Sequence, residues 1–180
     1  MNYNQCVAKD IRVPTMTTKR SMAASVVISD NSLWITGGQD ESHYVLSSSE
    51  YIETIKSMSG PDLPIAVSSH SMVNIKNDLT IIIGGEITGG FSSSKTFYYN
   101  HKHGNWSEGP ELFLARALNA AGIVTDEATQ EKLLFVTGGQ TINDTFKSTE
   151  VLIGHNWELG MYKLNHSSFL VITNCEKEIL

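Results

Sequence analysis

The chain has 180 residues, a formal net charge of −6 and a pI of about 5.4, and an acidic chain without basic clusters argues against a nucleic-acid partner. No apolar run reaches the roughly 18 residues needed to cross a membrane, and the N-terminus lacks the basic and apolar regions of a secretory signal. Since Cys6 and Cys175 are the two cysteines, a disulfide framework is excluded, and the composition predicts a cytoplasmic protein with neither a nucleic-acid nor a membrane partner.

Four short strand candidates recur in the same order three times along the chain. The first in each unit is a small-residue strand, predicted at 23–28, 71–75 and 120–124. The second is a β-branched or aromatic run that ends at paired glycines, Gly37-Gly38, Gly84-Gly85 and Gly138-Gly139. The third is predicted at 50–52, 96–99 and 150–152. The glycine pairs follow one another at intervals of 47 and 54 residues, which indicates a repeat architecture.

The fourth strand of each unit is predicted from a tryptophan that precedes a glycine by three positions. Trp106 and Trp157 have this place, whereas the first unit has Ser57 there. Gly60-Pro61-Asp62-Leu63 and Gly109-Pro110-Glu111-Leu112 then form two nearly identical turns. Four short strands per unit, separated by turn residues, are typical of a propeller blade. We expect the two tryptophans to fill the wedges between blades, at about 150–250 Å² of buried surface each.

These residues together resemble the kelch family. The resemblance covers roughly residues 13 to 174, with the double glycine, the tryptophan register and the turn followed by Arg116 as its most specific features. The chain departs from the pattern at Ser57, at Val67 in place of an arginine, and at Gly160-Met161 in place of Gly-Pro. The resemblance implies a β-propeller whose loops bind other proteins.

The predicted fold is therefore all-β: a partial kelch-type β-propeller with three complete four-stranded blades and partial blades at both ends. The predicted units are 1–20 as an outer strand and exit loop, 21–69, 70–118 and 119–165 as blades, and 166–180 as the start of a truncated blade. His166 and the residues after it echo His70 and the strand that it opens. Either the chain is a fragment of a larger ring, which we favour, or its two ends combine into a fourth blade. Open sheet edges would also favour self-association.

No motif in the chain predicts catalysis, a cofactor or a metal site. The Gly84–Gly90 loop lacks the lysine of a P-loop, and we interpret it as a strand end with a tight turn. His101 and His103 are two potential ligands where a structural zinc usually has four, so a solvated turn is the simpler interpretation. His70 and His166 are predicted to be structural, and Glu108 and Glu111 to flank a solvated turn.

The predicted function is a kelch-type protein-interaction module without catalytic activity, whose inter-strand loops bind a protein partner. These loops are predicted at 39–48, 86–95 and 140–148, and at 60–69, 109–119 and 160–167. They offer hydrogen-bond donors from Ser47, Ser48, Ser49, Ser92, Ser93, Ser94 and Arg116. The alternative is a fragment of a propeller enzyme of the oxidase or lyase kind. Asn105, Asn143 and Asn165 begin glycosylation triplets that matter only in a secreted protein.

Overall fold

A computed structural model describes residues 14–76 and 78–160, and these residues form strands, turns and loops with no helix. The first four strands are β1 (Ala24–Ser29), β2 (Ser32–Thr36), β3 (Ser49–Glu53) and β4 (Ser57–Ser59). The next six are β5 (Ser71–Lys76), β6 (Leu79–Ile83), β7 (Glu86–Ile87), β8 (Phe91–Ser92), β9 (Thr96–Asn100) and β10 (Asn105–Glu108). The last four are β11 (Ala120–Thr125), β12 (Lys132–Thr137), β13 (Thr149–Ile153) and β14 (Asn156–Leu159).

These strands form three four-stranded antiparallel sheets. The first sheet has the order β1-β2-β3-β4, the second β5-β6-β9-β10 and the third β11-β12-β13-β14, while β7 and β8 form a separate two-stranded ribbon. The registers correspond, because Trp34 pairs with Tyr51, Ile81 with Tyr98, and Phe135 with Val151. The all-β prediction and the four-stranded sheets are confirmed for the described residues, in which no closed ring is present.

The three sheets follow one another in space with their first strands side by side. Strand β5 contacts β1 on one side and β11 on the other. One apolar core lies between the first two sheets and is centred on Trp34, Met72 and Ile82. A second lies between the second and third sheets and is centred on Ile81, Leu134 and Trp157. The second sheet is therefore covered on both faces, which explains why β6 is an uninterrupted apolar run, Ile81-Ile82-Ile83, rather than an alternating one.

The two ends of the chain carry predictions that fall largely outside the described residues. Residues 1–13 of the predicted first partial blade and all of 166–180 lie outside them. Residues 14–20 are described and contain no strand. They form an irregular segment that reaches β3, since the Thr17 and Thr18 amides donate hydrogen bonds to the Glu50 carboxylate.

Candidate functional site

The loops that follow the glycine pairs lie beside the linkers that lead into each sheet. Isolated bridges join Ser21 to Gln39, Ser68 to Glu86 and Ala117 to Gln140. We call the surface formed by these segments the loop face, and define it as residues 37–48, 84–95 and 138–148 with linkers 20–23, 60–69 and 109–119. All three sheets thus contribute equivalent segments to the loop face.

The loop face carries most of the large apolar side chains that the structure exposes. The β2–β3 loop exposes Tyr44, the ribbon in the second loop exposes Phe91, and the β12–β13 loop exposes Ile142, at 72%, 64% and 77% respectively. Met22, Phe113 and Leu118 of the linkers are also exposed. Phe91 follows two glycines with positive φ, Gly89 and Gly90, which make the predicted tight turn of this loop.

The entry to each first strand adopts the left-handed backbone conformation without a glycine. Met22, Ser69 and Leu118 have φ values of 53°, 53° and 55°. They are linked in series, because the Ser69 amide donates to the Met22 carbonyl and the Leu118 amide donates to the Ser69 carbonyl, each at 2.8 Å. A left-handed conformation costs about 1–2 kcal/mol for a residue with a Cβ, so the loop face holds this strain at two exposed apolar residues.

A buried ion pair joins the first linker to the third strand of the first sheet. Arg20 Nη2 lies 2.8 Å from Glu50 Oε1, and both side chains are almost fully buried. Arg20 Nη1 also donates to the Gly37 carbonyl at 2.7 Å and to the Ser48 carbonyl at 3.0 Å. Thr17 and Thr18 amides and the Ser57 hydroxyl complete the set of donors around the carboxylate. The guanidinium therefore fixes the linker against the double glycine.

The third sheet repeats this arrangement with Arg116 and Glu150. Arg116 Nη2 lies 2.7 Å from Glu150 Oε1, and neither side chain has measurable exposure. Arg116 Nη1 donates to the carbonyls of Gly138 and Ser148, and the Phe113 and Leu114 amides donate to the carboxylate. The prediction that Arg116 offers donors to a partner is therefore wrong, since its Nη1 and Nη2 donors are used inside the protein.

The second sheet lacks both charged members of this arrangement. By repeat register, Val67 stands in the place of the arginine and Phe97 in the place of the glutamate, and both are buried. Pro64 stands where Thr17 and Phe113 donate an amide, and a proline has no N–H to donate. The second sheet thus lacks both the charge pair and one of the backbone N–H groups that donate to the carboxylate in the other two sheets.

The Glu50 carboxyl is held in its charged form. Burial alone raises its pKa, but the hydrogen bonds from Arg20 and from the Thr17 and Thr18 amides outweigh burial and lower the pKa to about 2. Because the folded pKa lies below the ordinary value of 4.5, this carboxylate stabilises the fold above about pH 4.5. That contribution is lost as the pH falls from 4.5 towards 2.

His70, at the entry to β5, is buried between the first two sheets. Its Nε2 lies 2.8 Å from Thr36 Oγ1, and burial lowers the pKa of the ring to about 3. The imidazole is therefore neutral in the folded protein at pH 7, which agrees with the structural role predicted for it. His166 lies outside the described residues.

We expect His70 to make the fold sensitive to mild acid. The unfolded ring takes up a proton below about pH 6.5 and the folded ring does not, so stability falls between pH 6.5 and about 3. At about 1.4 kcal/mol per pH unit, roughly 2 kcal/mol is lost between pH 7 and pH 5. His70→Asn, which introduces the residue that Asn119 provides in the third sheet, should remove most of this loss. Urea midpoints of the wild type and of His70→Asn at pH 7 and pH 5 measure this loss of stability. An equal pH dependence in the two proteins would show that His70 is not its cause.

The remaining candidate residues are placed individually rather than as a catalytic group. His101 packs edge-on against Trp34 and Tyr99 and contacts Thr80, while His103 is exposed on the turn. Glu111 pairs with Lys95 at 2.8 Å on the surface. Within residues 14–76 and 78–160 no three His, Cys, Asp or Glu side chains are grouped as a metal site would require. Cys6 and Cys175 lie outside these residues.

The predicted serine donors differ in how accessible they are. Ser49 and Ser93 are buried, and Ser49 accepts the indole N–H of Trp34 at 3.0 Å. The other four are partly exposed on the loop face, namely Ser47, Ser48, Ser92 and Ser94. The loop face thus combines exposed apolar side chains with a few partly exposed hydroxyls.

At the opposite end of the sheets an open groove of about 640 Å³ lies between the hairpin tips. Its charged residues are Asp30, Lys76, Asp78 and Lys132, two of each sign. Opposite charges in equal number create no strong field for a charged ligand. The loop face is therefore the better candidate for a binding surface.

Sequence reasoning missed the Arg–Glu pairs and the role of Trp34. The available signal was the repeat register, in which a glutamate follows the arginine by 30 residues in one unit and 34 in another. No helix in the described part of the chain is long and apolar enough to cross a membrane. Comparisons with known proteins found no protein-family model that matches the chain and no curated protein that matches it.

Proposed function

We propose that this chain is a partial kelch-type β-propeller that acts as a protein-interaction module and binds a protein partner through its loop face. The blades in this proposal are residues 21–69, 70–118 and 119–165. Three four-stranded sheets in series, with first strands adjacent and loops gathered at one end, support the blade interpretation. The double glycines and the tryptophan register support the kelch resemblance.

One observation carries the functional proposal: each sheet exposes one large apolar side chain from the same loop. Tyr44, Phe91 and Ile142 are all at least 64% exposed, although each costs free energy in contact with water. Exposed apolar residues that recur at one end of a molecule are typical of protein-binding surfaces, and aromatic anchors dominate their binding energy. The strained backbone at Met22 and Leu118 adds apolar side chains to the same face.

The experiment uses a random peptide library displayed on phage, selected against the immobilised chain. Peptides that bind the wild-type protein are then measured against a variant with Tyr44→Ser, Phe91→Ser and Ile142→Ser. Each of these side chains is exposed, so the substitutions should leave the fold intact. We expect the affinity of the selected peptides to fall at least about tenfold, which corresponds to about 1.4 kcal/mol.

The matched control changes exposed apolar residues at the other end of the sheets. Ile55→Ser and Val124→Ser remove comparable side chains that are 85% and 56% exposed. Peptide affinity should be unchanged in this control. Equal binding to the loop variant and the wild type, or selection of no specific peptide at all, would contradict the proposal.

The alternative of a propeller enzyme gains no support from the described residues. A catalytic site needs converging titratable groups in a pocket, and the histidines and glutamates discussed above lie apart or in surface turns.

A further inference from the structure

Each loop of the loop face has one polar residue directly after its glycine pair. These residues are Gln39, Glu86 and Gln140. Each of them bridges to the linker that leads into a first strand, and each also pairs with a residue on the returning side of its own loop. They therefore have the same place in all three sheets, and we call them the polar row.

Hydrogen bonds connect the polar row across the three sheets. Gln39 Nε2 donates to Glu86 Oε1 at 3.3 Å and lies equally far from Ser68 Oγ, so two contacts fix this amide. Ser92 pairs with Glu86 across the β7–β8 ribbon and donates its hydroxyl to the Gln140 carbonyl at 2.9 Å. Glu86 therefore lies in the middle of the row, between the loops of the first and third sheets.

Glu86 is the charged member of the polar row, and its carboxylate can accept further hydrogen bonds. The side chain is partly exposed. Among residues 14–76 and 78–160 its carboxylate accepts a hydrogen bond from the neutral Gln39 amide through Oε1 and has no salt-bridge partner. A carboxylate has about four acceptor sites. Glu86 Oε2 thus remains available to a donor that a partner brings.

The surface around the polar row has an excess of negative charge. The ranges of the loop face contain two exposed lysines, Lys95 and Lys147, and six carboxylates, namely Asp40, Glu41, Asp62, Glu86, Glu111 and Asp144. Lys19, just outside these ranges, pairs with Glu41, which still leaves more carboxylates than lysines. Both arginines of the loop face are buried in the ion pairs described above. The loop face therefore favours a positively charged partner over an acidic one.

Exposed aromatic side chains flank the polar row. Tyr44 directly precedes the residue that pairs with Gln39, and Phe91 directly precedes the residue that pairs with Glu86. A guanidinium stacks on aromatic rings and binds a carboxylate through two parallel N–H groups, whereas a lysine ammonium is a compact charge without this planar fork. A carboxylate beside exposed aromatic rings therefore favours arginine over lysine.

The third sheet contains this kind of contact within the protein. Arg116 Nη2 lies 2.7 Å from Glu150 Oε1, and the guanidinium carbon of Arg116 lies 5.4 Å from the centre of the Phe146 ring. One arginine thus uses a glutamate and an aromatic ring together. The surface around Glu86 offers the same two groups to an arginine from outside.

From this combination we infer that the partner inserts an arginine into the loop face, with the guanidinium bound to the Glu86 carboxylate and neighbouring apolar side chains against Tyr44 and Phe91. The inference rests on the proposed function and adds the chemistry of the partner, a peptide segment that combines an arginine with apolar residues. Gln39 is a positioning residue, because it holds Glu86 Oε1 and leaves Oε2 to the guanidinium.

The test selects a random peptide library on phage separately against the wild type, Glu86→Gln and Glu86→Arg. Peptides selected on the wild type should contain an arginine next to apolar residues. Their affinity should fall at least about tenfold for Glu86→Gln and at least about a hundredfold for Glu86→Arg. Glu86→Arg should itself select peptides with an acidic residue in place of the arginine. Glu86→Gln keeps a side-chain oxygen that can accept the Gln39 hydrogen bond, so the fold should persist.

The matched control removes another carboxylate from the same face. Glu111→Gln breaks the exposed pair with Lys95 and should change peptide affinity little. In each selected peptide the arginine is also replaced by glutamine. This replacement should weaken binding to the wild type but not to Glu86→Gln, because the two groups act only on each other.

The outcomes separate this inference from the proposed function. Peptides that require Tyr44, Phe91 and Ile142 but lack arginine, or that bind Glu86→Gln as tightly as the wild type, would overturn the inference and leave the interaction module intact. Equal losses for Glu86→Gln and Glu111→Gln would also overturn it, since they would indicate a diffuse effect of charge. Selection of no specific peptide would contradict both.

Discussion

Arg116→Val alone is expected to destabilise the protein by about 3–5 kcal/mol. Removal of the guanidinium leaves the fully buried Glu150 carboxylate without its countercharge and leaves the Gly138 carbonyl without a donor. Glu150→Phe alone should cost a similar amount, because it isolates the arginine. Urea midpoints of the purified variants measure both changes.

A variant that compensates for the loss of the ion pair can be designed by copying residues of the second sheet into the third. Arg116→Val, Glu150→Phe and Phe113→Pro together reproduce Val67, Phe97 and Pro64, so the combined variant should recover most of the stability that either single change loses. Buried ion pairs replaced as a set by apolar groups are often neutral in stability. Lys95→Ala, which breaks the exposed Lys95–Glu111 pair, is the control and should change the midpoint little. Additive losses in the triple variant would show that these positions are not coupled.

Trp34→Ala should be the most damaging aromatic substitution, at about 3–5 kcal/mol. Trp34 has no exposed surface, donates its indole N–H to Ser49, and packs against Tyr51, Tyr99, His101 and Trp106. Trp157→Ala should cost nearly as much, since this side chain is buried and donates to the Pro110 carbonyl at 3.1 Å. Trp106→Ala should cost less, because Trp106 is only partly buried.

Denaturant midpoints of the three alanine variants give this order directly. Trp34→Phe serves as a milder comparison, since it keeps an aromatic ring and loses the hydrogen bond to Ser49. If Trp106→Ala proves as costly as Trp34→Ala, the packing between the first two sheets differs from the one described. Equal losses for Trp106→Ala and Trp157→Ala would support the prediction that both tryptophans act alike as wedge residues.

The repeat could be predicted from the sequence because local chemistry determines it. Paired glycines end the second strand of each unit, and in the first two units the carbonyl of the next linker lies where a Cβ of the first glycine would be. The order of the strands within each unit could be predicted from the position of these glycine pairs. The four-stranded sheets were predicted for the same reason, since turn residues separate each apolar run from the next.

The side-chain contacts between units could not be predicted in the same way. Arg116 is a charged residue near a turn, and such residues are usually exposed, so its burial depends on Glu150, which is 34 residues away. The surroundings of Trp34 could not be predicted either, because nothing local shows that four aromatic rings pack against it. The exposed residues of the loop face could not be identified either, because exposure depends on the packing of three sheets.

The serial arrangement of the three sheets can be tested by NMR couplings across the hydrogen bonds that join neighbouring sheets. We expect measurable couplings from the Gly38 nitrogen to the Val67 carbonyl carbon and from the Gly85 nitrogen to the Arg116 carbonyl carbon. The bond from the Gly37 amide to the Ser48 carbonyl, within the first sheet, is the internal control. Couplings across both hydrogen bonds would establish that the sheets are joined in series by one repeated contact. A normal control coupling without either of the other two couplings would contradict the serial arrangement of the sheets.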